Sequence, residues 1–171
     1  MFKNNSIKEI LMTTATANTP ATHNALTTLF AAVQDAALLH STANLLGWDQ
    51  ETMMPHGGAE LRGRQLSQLA RLGHEAFTAP KMGDLISAAE ATVASMPTDC
   101  ADAVNVREIR RDYDKATKLP SSLVAEMAHT ASQAQHAWVE ARRDSDFKKF
   151  QPWLEKNVKL NLQKAQCLGW P

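Results

Sequence analysis

Cysteine is scarce: Cys100 and Cys167 are the only two in 171 residues, and they form no Cys-x-x-Cys pair. A disulfide framework is therefore not expected, and a reducing cytoplasm is the natural compartment. An excess of one charge is also lacking. Eighteen basic residues balance eighteen acidic ones, for a net charge of zero. Nucleic-acid surfaces and polybasic membrane anchors both work through excess positive charge, so neither kind of partner is expected. No apolar run approaches the ~18–20 residues of a membrane span. The first twelve residues place Glu9 inside their apolar stretch and offer no cleavage site, which makes a poor signal peptide. Glycine is limited to seven positions while 44% of residues are hydrophobic, a balance that suits a globular helical chain. There is no glycine-rich phosphate loop and no Ser-His-Asp arrangement.

Helical periodicity dominates what remains, and no segment alternates as a strand would. Residues 1–22 read as a flexible leader, rich in Thr and Ala over 13–22, with Met12 as an alternative start. Residues 23–171 read as one helical domain. Its first helix is expected from about His23 to Leu46, with Leu26, Leu29, Phe30, Val33 and Ala37 inward. Gly47 is read as its cap, and Trp48 to Gly58 as a turn containing Pro55. Further helices are expected over about Ala59–Ala76, Lys81–Ser95 and Ala101–Thr117, the last capped by Asp99 or a neighbour. A fifth follows Pro120. A sixth carries Phe147, Phe150, Leu154, Val158 and Ala165 on one stripe, restarts at Pro152 and closes at Gly169. The fold class is all-α, an antiparallel assembly of about six helices.

Several polar clusters are candidate sites. On the fifth helix Leu123, Met127, Ala131, Ala134, Trp138 and Ala141 share a narrow arc. Glu126, His129, Gln133, His136 and Glu140 lie opposite. Glu126-x-x-His129 has the spacing used by di-iron bundles, and His136 with Glu140 adds another pair of potential ligands. Such sites need a second motif from a facing helix, which this sequence lacks, so a solvated or interface face is the preferred reading. Trp48, Asp49, Gln50 and Glu51 form a polar-aromatic group that lines a cleft on one reading. On the other, Asp49 caps a helix and Trp48 plugs the core. His40, with Asn44 one turn on, reads as a core histidine. Arg62 and Arg64 have the fork that binds a peptide carboxylate, against the plainer reading as surface salt bridges.

Longer strings carry a family resemblance. The stretch from Leu46-Gly47-Trp48-Asp49-Gln50-Glu51-Thr52-Met53-Met54-Pro55 to His74-Glu75 resembles a signature near the start of the thermostable (Taq-type) zinc carboxypeptidases, all-helical metallopeptidases. Val106-Arg107-Glu108-Ile109-Arg110-Arg111-Asp112-Tyr113-Asp114, Lys118-Leu119-Pro120, Leu123 to Glu126 and Gln135 to Trp138 continue it. Phe147 to Phe150 and Pro152-Trp153-Leu154-Glu155-Lys156 extend it almost to the end. The resemblance implies zinc or another divalent metal in the full-length enzyme, held by His-Glu-x-x-His and a later glutamate, with the motif's glutamate as general base. In this chain the only His-Glu pair is His74-Glu75, and Thr78 stands where the second histidine belongs. No catalytic residue and no cofactor are therefore expected within these residues.

The resemblance implies a truncated, N-terminal helical region that walls or covers a peptide groove. Trp48, Asp49, Gln50, Glu51 and Arg62 are its groove candidates, and a catalytic domain beyond this chain is its partner. Family members are usually homodimers, so a homo-oligomer is expected too. Two alternatives stand beside this one. The first is a free-standing helical binding or oligomerisation module without catalysis. The second is an independent metalloprotein built on the fifth helix.

Overall fold

The computed structural model describes residues 20–170, with side chains from Asn24 onward. The leader expected over residues 1–22 falls outside these residues as far as residue 19, as does Met12. Six helices follow, with no strand among the described residues: α1 Pro20–Thr52, α2 Ala59–Thr78, α3 Pro80–Val93, α4 Ala101–Ala116, α5 Ser121–Arg143 and α6 Phe147–Leu168. A short 3₁₀ turn at His56–Gly58 joins α1 to α2. None of the helices is long and apolar enough to cross a membrane.

Contacts between helices give the directions. Arg62 near the start of α2 reaches Asp49 near the end of α1, while Gly73 lies against Leu39 and Ala36, so α1 and α2 run antiparallel. Gln133 on α5 meets Ala59 and His74 on α2 meets Leu119, which makes that pair antiparallel as well. Glu126 on α5 pairs with Lys156 on α6, and Arg110 on α4 grips Glu90 on α3 with two hydrogen bonds of 2.9 Å. The apolar core lies where the first half of α1 meets α3 and α4. Leu26, Leu29, Met82, Ile86, Ala89 and Val106 are buried together there, with Phe30, Val33, Phe77 and Tyr113 around them.

The junction of α2 with α5 is built differently, from close approach. A β-carbon on Gly63 would stand 2.6 Å from Gln133 Nε2 and 2.9 Å from His129 Nδ1. The helices meet there because Gly63 has no side chain. Of the polar stripe of α5, His129 and Gln133 thus face α2, while Glu126 turns to α6 and His136 and Glu140 meet the 3₁₀ turn. Of the apolar arc, Leu123, Ala134 and Ala141 are buried and Met127 is half-buried, while Ala131 and Trp138 are exposed. Helix periodicity marks which residues share a face, but a partner with a glycine at the crossing can accept a polar one.

Other boundaries depart from expectation for identifiable reasons. Helix α1 continues through Gly47 to Thr52, with Thr52 Oγ1 bonded to the Trp48 carbonyl at 2.8 Å. A mid-helix glycine costs only about 1 kcal/mol, and tertiary ties at Asp49, Gln50 and Glu51 outweigh it. A β-carbon at Gly47 would meet nothing within 4 Å. Gly47→Ala should therefore stabilise the protein by about 0.5–1 kcal/mol, read as a raised urea midpoint. A loss of stability there would indicate the cap conformation instead.

The fourth helix is capped by Cys100, the neighbour of Asp99, with no side-chain hydrogen bond from it. Helix α6 starts at Phe147 and runs on through Pro152 with no fresh start there. Asp146 caps it by accepting from Lys148 N at 3.0 Å, and Pro152 is carried inside. Phe147 and Phe150 rest edge to face across the first turn and support it. Gly169 ends the helix in the left-handed region at φ 87°, as expected. In the α5–α6 turn, hydrogen bonds from Arg143 and then Lys149 hold the Asp144 carboxyl well below the usual carboxylate range.

The side of α6 that packs on α5 is also not the expected one. Leu160 is buried and Trp153, Asn157 and Cys167 are partly buried. Phe147, Leu154, Val158 and Leu162, which share the opposite stripe, are 59, 41, 51 and 59% exposed.

Candidate functional site

The end of α1, the 3₁₀ turn and the middle of α5 enclose a small cleft of about 210 Å³, lined by Gln50, Glu51, Met54, His56, Gln135, His136 and Val139. The α1 residues reach it because the helix continues past Gly47. Residues 49, 50 and 51 then point in different directions around the axis, 100° apart at the 3.6-residue period. Each finds a different partner. Asp49 Oδ2 accepts from Arg62 Nη2 at 2.5 Å. Gln50 Oε1 accepts from Ser132 Oγ at 2.5 Å, and Glu51 Oε2 accepts from Gln135 Nε2 at 2.9 Å. One helix turn is thereby tied to both α2 and α5.

Arg62 is buried, with its side chain 10% exposed, which removes it from the class of surface ion pairs. Besides Asp49 it donates through Nη1 to the Leu46 carbonyl and through Nε to Gln65 Oε1 at 3.1 Å. With its donors directed at three groups of its own chain, Arg62 acts as a clamp between α2 and α1. Trp48 is 60% exposed, so it does not plug the core, and Asp49 lies within the helix and caps nothing. Of the groove candidates, Gln50 and Glu51 line the cleft. Asp49 and Arg62 form its adjacent support, and Trp48 stands on the outer surface. Arg64 is exposed.

The four potential metal ligands on α5 divide into two pairs. Glu126 is bound to Lys156 at 2.5 Å, and His129 rests on the α2 backbone at Gly63. His136 and Glu140 lie one turn apart with Nε2 and Oε1 separated by 3.7 Å. His56 joins them from the 3₁₀ turn, its Nε2 3.9 Å from the same Glu140 oxygen. Sequence patterning could not supply His56. It lies 80 positions before His136, and only the packing of the 3₁₀ turn against α5 brings them together.

His40 is exposed, not core, although it borders a largely apolar cavity of about 410 Å³ with Val33, Ala37, Ala70, His74 and Phe77. The half motif His74-Glu75 is occupied by structural contacts. His74 Nε2 donates to the Leu119 carbonyl at 2.8 Å, Glu75 binds Arg71, and Thr78 Oγ1 donates to the His74 carbonyl at 2.8 Å. A hydroxyl already engaged with the helix backbone replaces the second imidazole. These residues do not fit the zinc that the resemblance implies.

Comparison with known proteins agrees with the helices and the strings that run along them. The family described as Carboxypeptidase Taq (M32) metallopeptidase matches residues 28–170. Thermostable carboxypeptidase 1 of Thermus thermophilus is 38% identical over 135 residues, 79% of this chain and 26% of that protein. The chain spans about a quarter of the length of the curated relatives it matches. The crystal structure of BsuCP superposes with a TM-score of 0.80 at 25% identity, over 87% of this chain and 30% of that one. The M32 carboxypeptidase from Deinococcus radiodurans R1 is 38% identical with a TM-score of 0.58, over 84% of this chain and 28% of that one. The match runs through the Trp48–Pro55 segment, the Arg62 clamp and the outward stripe of α6 alike, and by it the chain belongs to the carboxypeptidase Taq (M32) metallopeptidase family.

Proposed function

We propose that this chain is the N-terminal helical part of a metal-dependent carboxypeptidase that removes C-terminal amino acids from peptides. In this reading it forms a wall or cover of the substrate groove and is inactive alone. The observation that carries the reading is the outward apolar stripe of α6. Phe147, Leu154, Val158 and Leu162 are each roughly half exposed, and Leu38, Leu45 and Trp48 on α1 are exposed at 60% or more. Burying the remainder of each α6 side chain is worth about 1 kcal/mol, so a partner covering the stripe gains several. The catalytic domain that supplies the His-Glu-x-x-His is the partner that fits. Two cysteines not bonded to each other, Cys100 and Cys167, support a cytoplasmic setting.

A peptidase assay tests this directly. Incubated with an N-blocked peptide and added zinc or cobalt, the purified chain is expected to release no C-terminal amino acid. Metal-dependent release by this chain alone would overturn the reading.

The same exposed stripe favours a second reading, a free-standing helical module that binds or oligomerises without catalysis. Either way, self-association as a dimer or larger is expected when the stripe has no other cover. Sedimentation showing only monomer at high protein concentration would refute that association.

A further inference from the structure

We propose that His56, His136 and Glu140 form a binding site for a divalent transition-metal ion of the zinc class. This inference is independent of the groove reading above. The three ligand atoms lie within 4.8 Å of one another. Nε2 of His136 is 3.7 Å and Nε2 of His56 is 3.9 Å from Glu140 Oε1. A tetrahedral ion with bonds of about 2.0–2.1 Å needs its donors about 3.3 Å apart, so the two gaps to Glu140 close by about half an ångström and the gap between the imidazoles by no more than about 1.5 Å. Side-chain rotation can supply that movement, because His56 is 65% and Glu140 37% exposed.

The backbone fixes the arrangement more than the rotamers do. His136 and Glu140 stand four residues apart on α5 and share one helix face. His56 comes from a separate element. Pro55 precedes it, and its turn is closed by Gly58 N donating to the Pro55 carbonyl at 2.8 Å. The two imidazoles meet edge to face, with centroids 4.9 Å apart at 87°. This orientation leaves both Nε2 atoms near the one carboxylate oxygen.

Around the three donors, the cleft wall is held by the Ser132–Gln50 and Gln135–Glu51 bonds, so the site sits on elements that are already tied together. Two imidazoles and a carboxylate suit zinc, cobalt or nickel and are poor ligands for magnesium or calcium. Three protein donors leave one position of a tetrahedral ion for water. Bound metal would lock the 3₁₀ turn onto α5.

The test is calorimetric titration of zinc chloride into the full 171-residue chain carrying no histidine tag. One ion per chain is expected. Loss of groups that merely orient a ligand lowers metal affinity 10–100-fold, so removing a ligand itself by His56→Ala, His136→Ala or Glu140→Gln should weaken binding at least about 100-fold. His129→Ala, on the same helix but outside the cluster, should leave it unchanged. His56→Ala alters an exposed side chain and so is the variant least able to disturb folding, which circular dichroism checks. Absence of binding at millimolar zinc overturns the site, as does binding that survives His56→Ala. The readout is metal affinity, so a failure here is distinct from failure of the peptidase reading.

Discussion

Arg62→Ala should lower the stability of the protein by about 2–3 kcal/mol, toward the lower end of what breaking a buried ion pair costs. The estimate follows from the exposure of the two partners. Arg62 is 10% exposed, but Asp49 is 36% exposed, so water can rescue the abandoned carboxylate in part. The remaining loss comes from the contact with the Leu46 carbonyl, the bond to Gln65 and the packed aliphatic stem. Arg62→Met, which keeps most of the stem, should lose less than alanine. Asp49→Asn should lose less again, because one acceptor oxygen remains. Urea unfolding of Arg62→Ala, Asp49→Asn and the double variant that combines them measures the coupling. An Arg62→Ala protein as stable as the parent would mean that the clamp contributes nothing.

The second large effect is expected at Leu29→Ala. Leu29 has no exposed surface and packs in the cluster with Ile86 and Val106, which are likewise sealed from water. Removing buried methyl groups forfeits their transfer energy and leaves a cavity that the surroundings only partly fill, together about 3–4 kcal/mol. For a chain of this size that corresponds to a fall in Tm of roughly 6–16 °C. Leu38→Ala, on the same helix at 64% exposure, should change stability by no more than about 0.5 kcal/mol. If the two variants lost stability equally, the burial pattern of α1 would be wrong.

The contrast between those two leucines shows where a sequence is legible. Six helices, their connectors and the closing glycine follow from local chemistry. Three-and-four periodicity, Pro80 and Pro120 at helix starts and Gly169 beyond a helix end act over a few residues, so they can be read from a few residues. Gly47 misled because its cost is small and the ties that overrule it come from Arg62, Ser132 and Gln135 on other helices. Leu154 and Val158 misled for a related reason. An apolar stripe states that something should cover it without stating what, and the described residues turn that stripe of α6 outward.

The candidate site divides along the same line. Gln50, Glu51, His136 and Glu140 could be singled out from residue type and helical spacing, since neighbours on a helix are neighbours in sequence. His56 could not, nor could the burial of Arg62, because each depends on which helices meet and at what register. By itself the sequence determined an all-helical chain of the M32 family without a His-Glu-x-x-His motif, since those properties reside in residue identity and short-range spacing. Only the tertiary structure decided that α5 meets α2 through His129 and Gln133, that Arg62 is a clamp and that three potential ligands converge. Those outcomes turn on a missing side chain at Gly63 and on contacts between residues up to 84 positions apart.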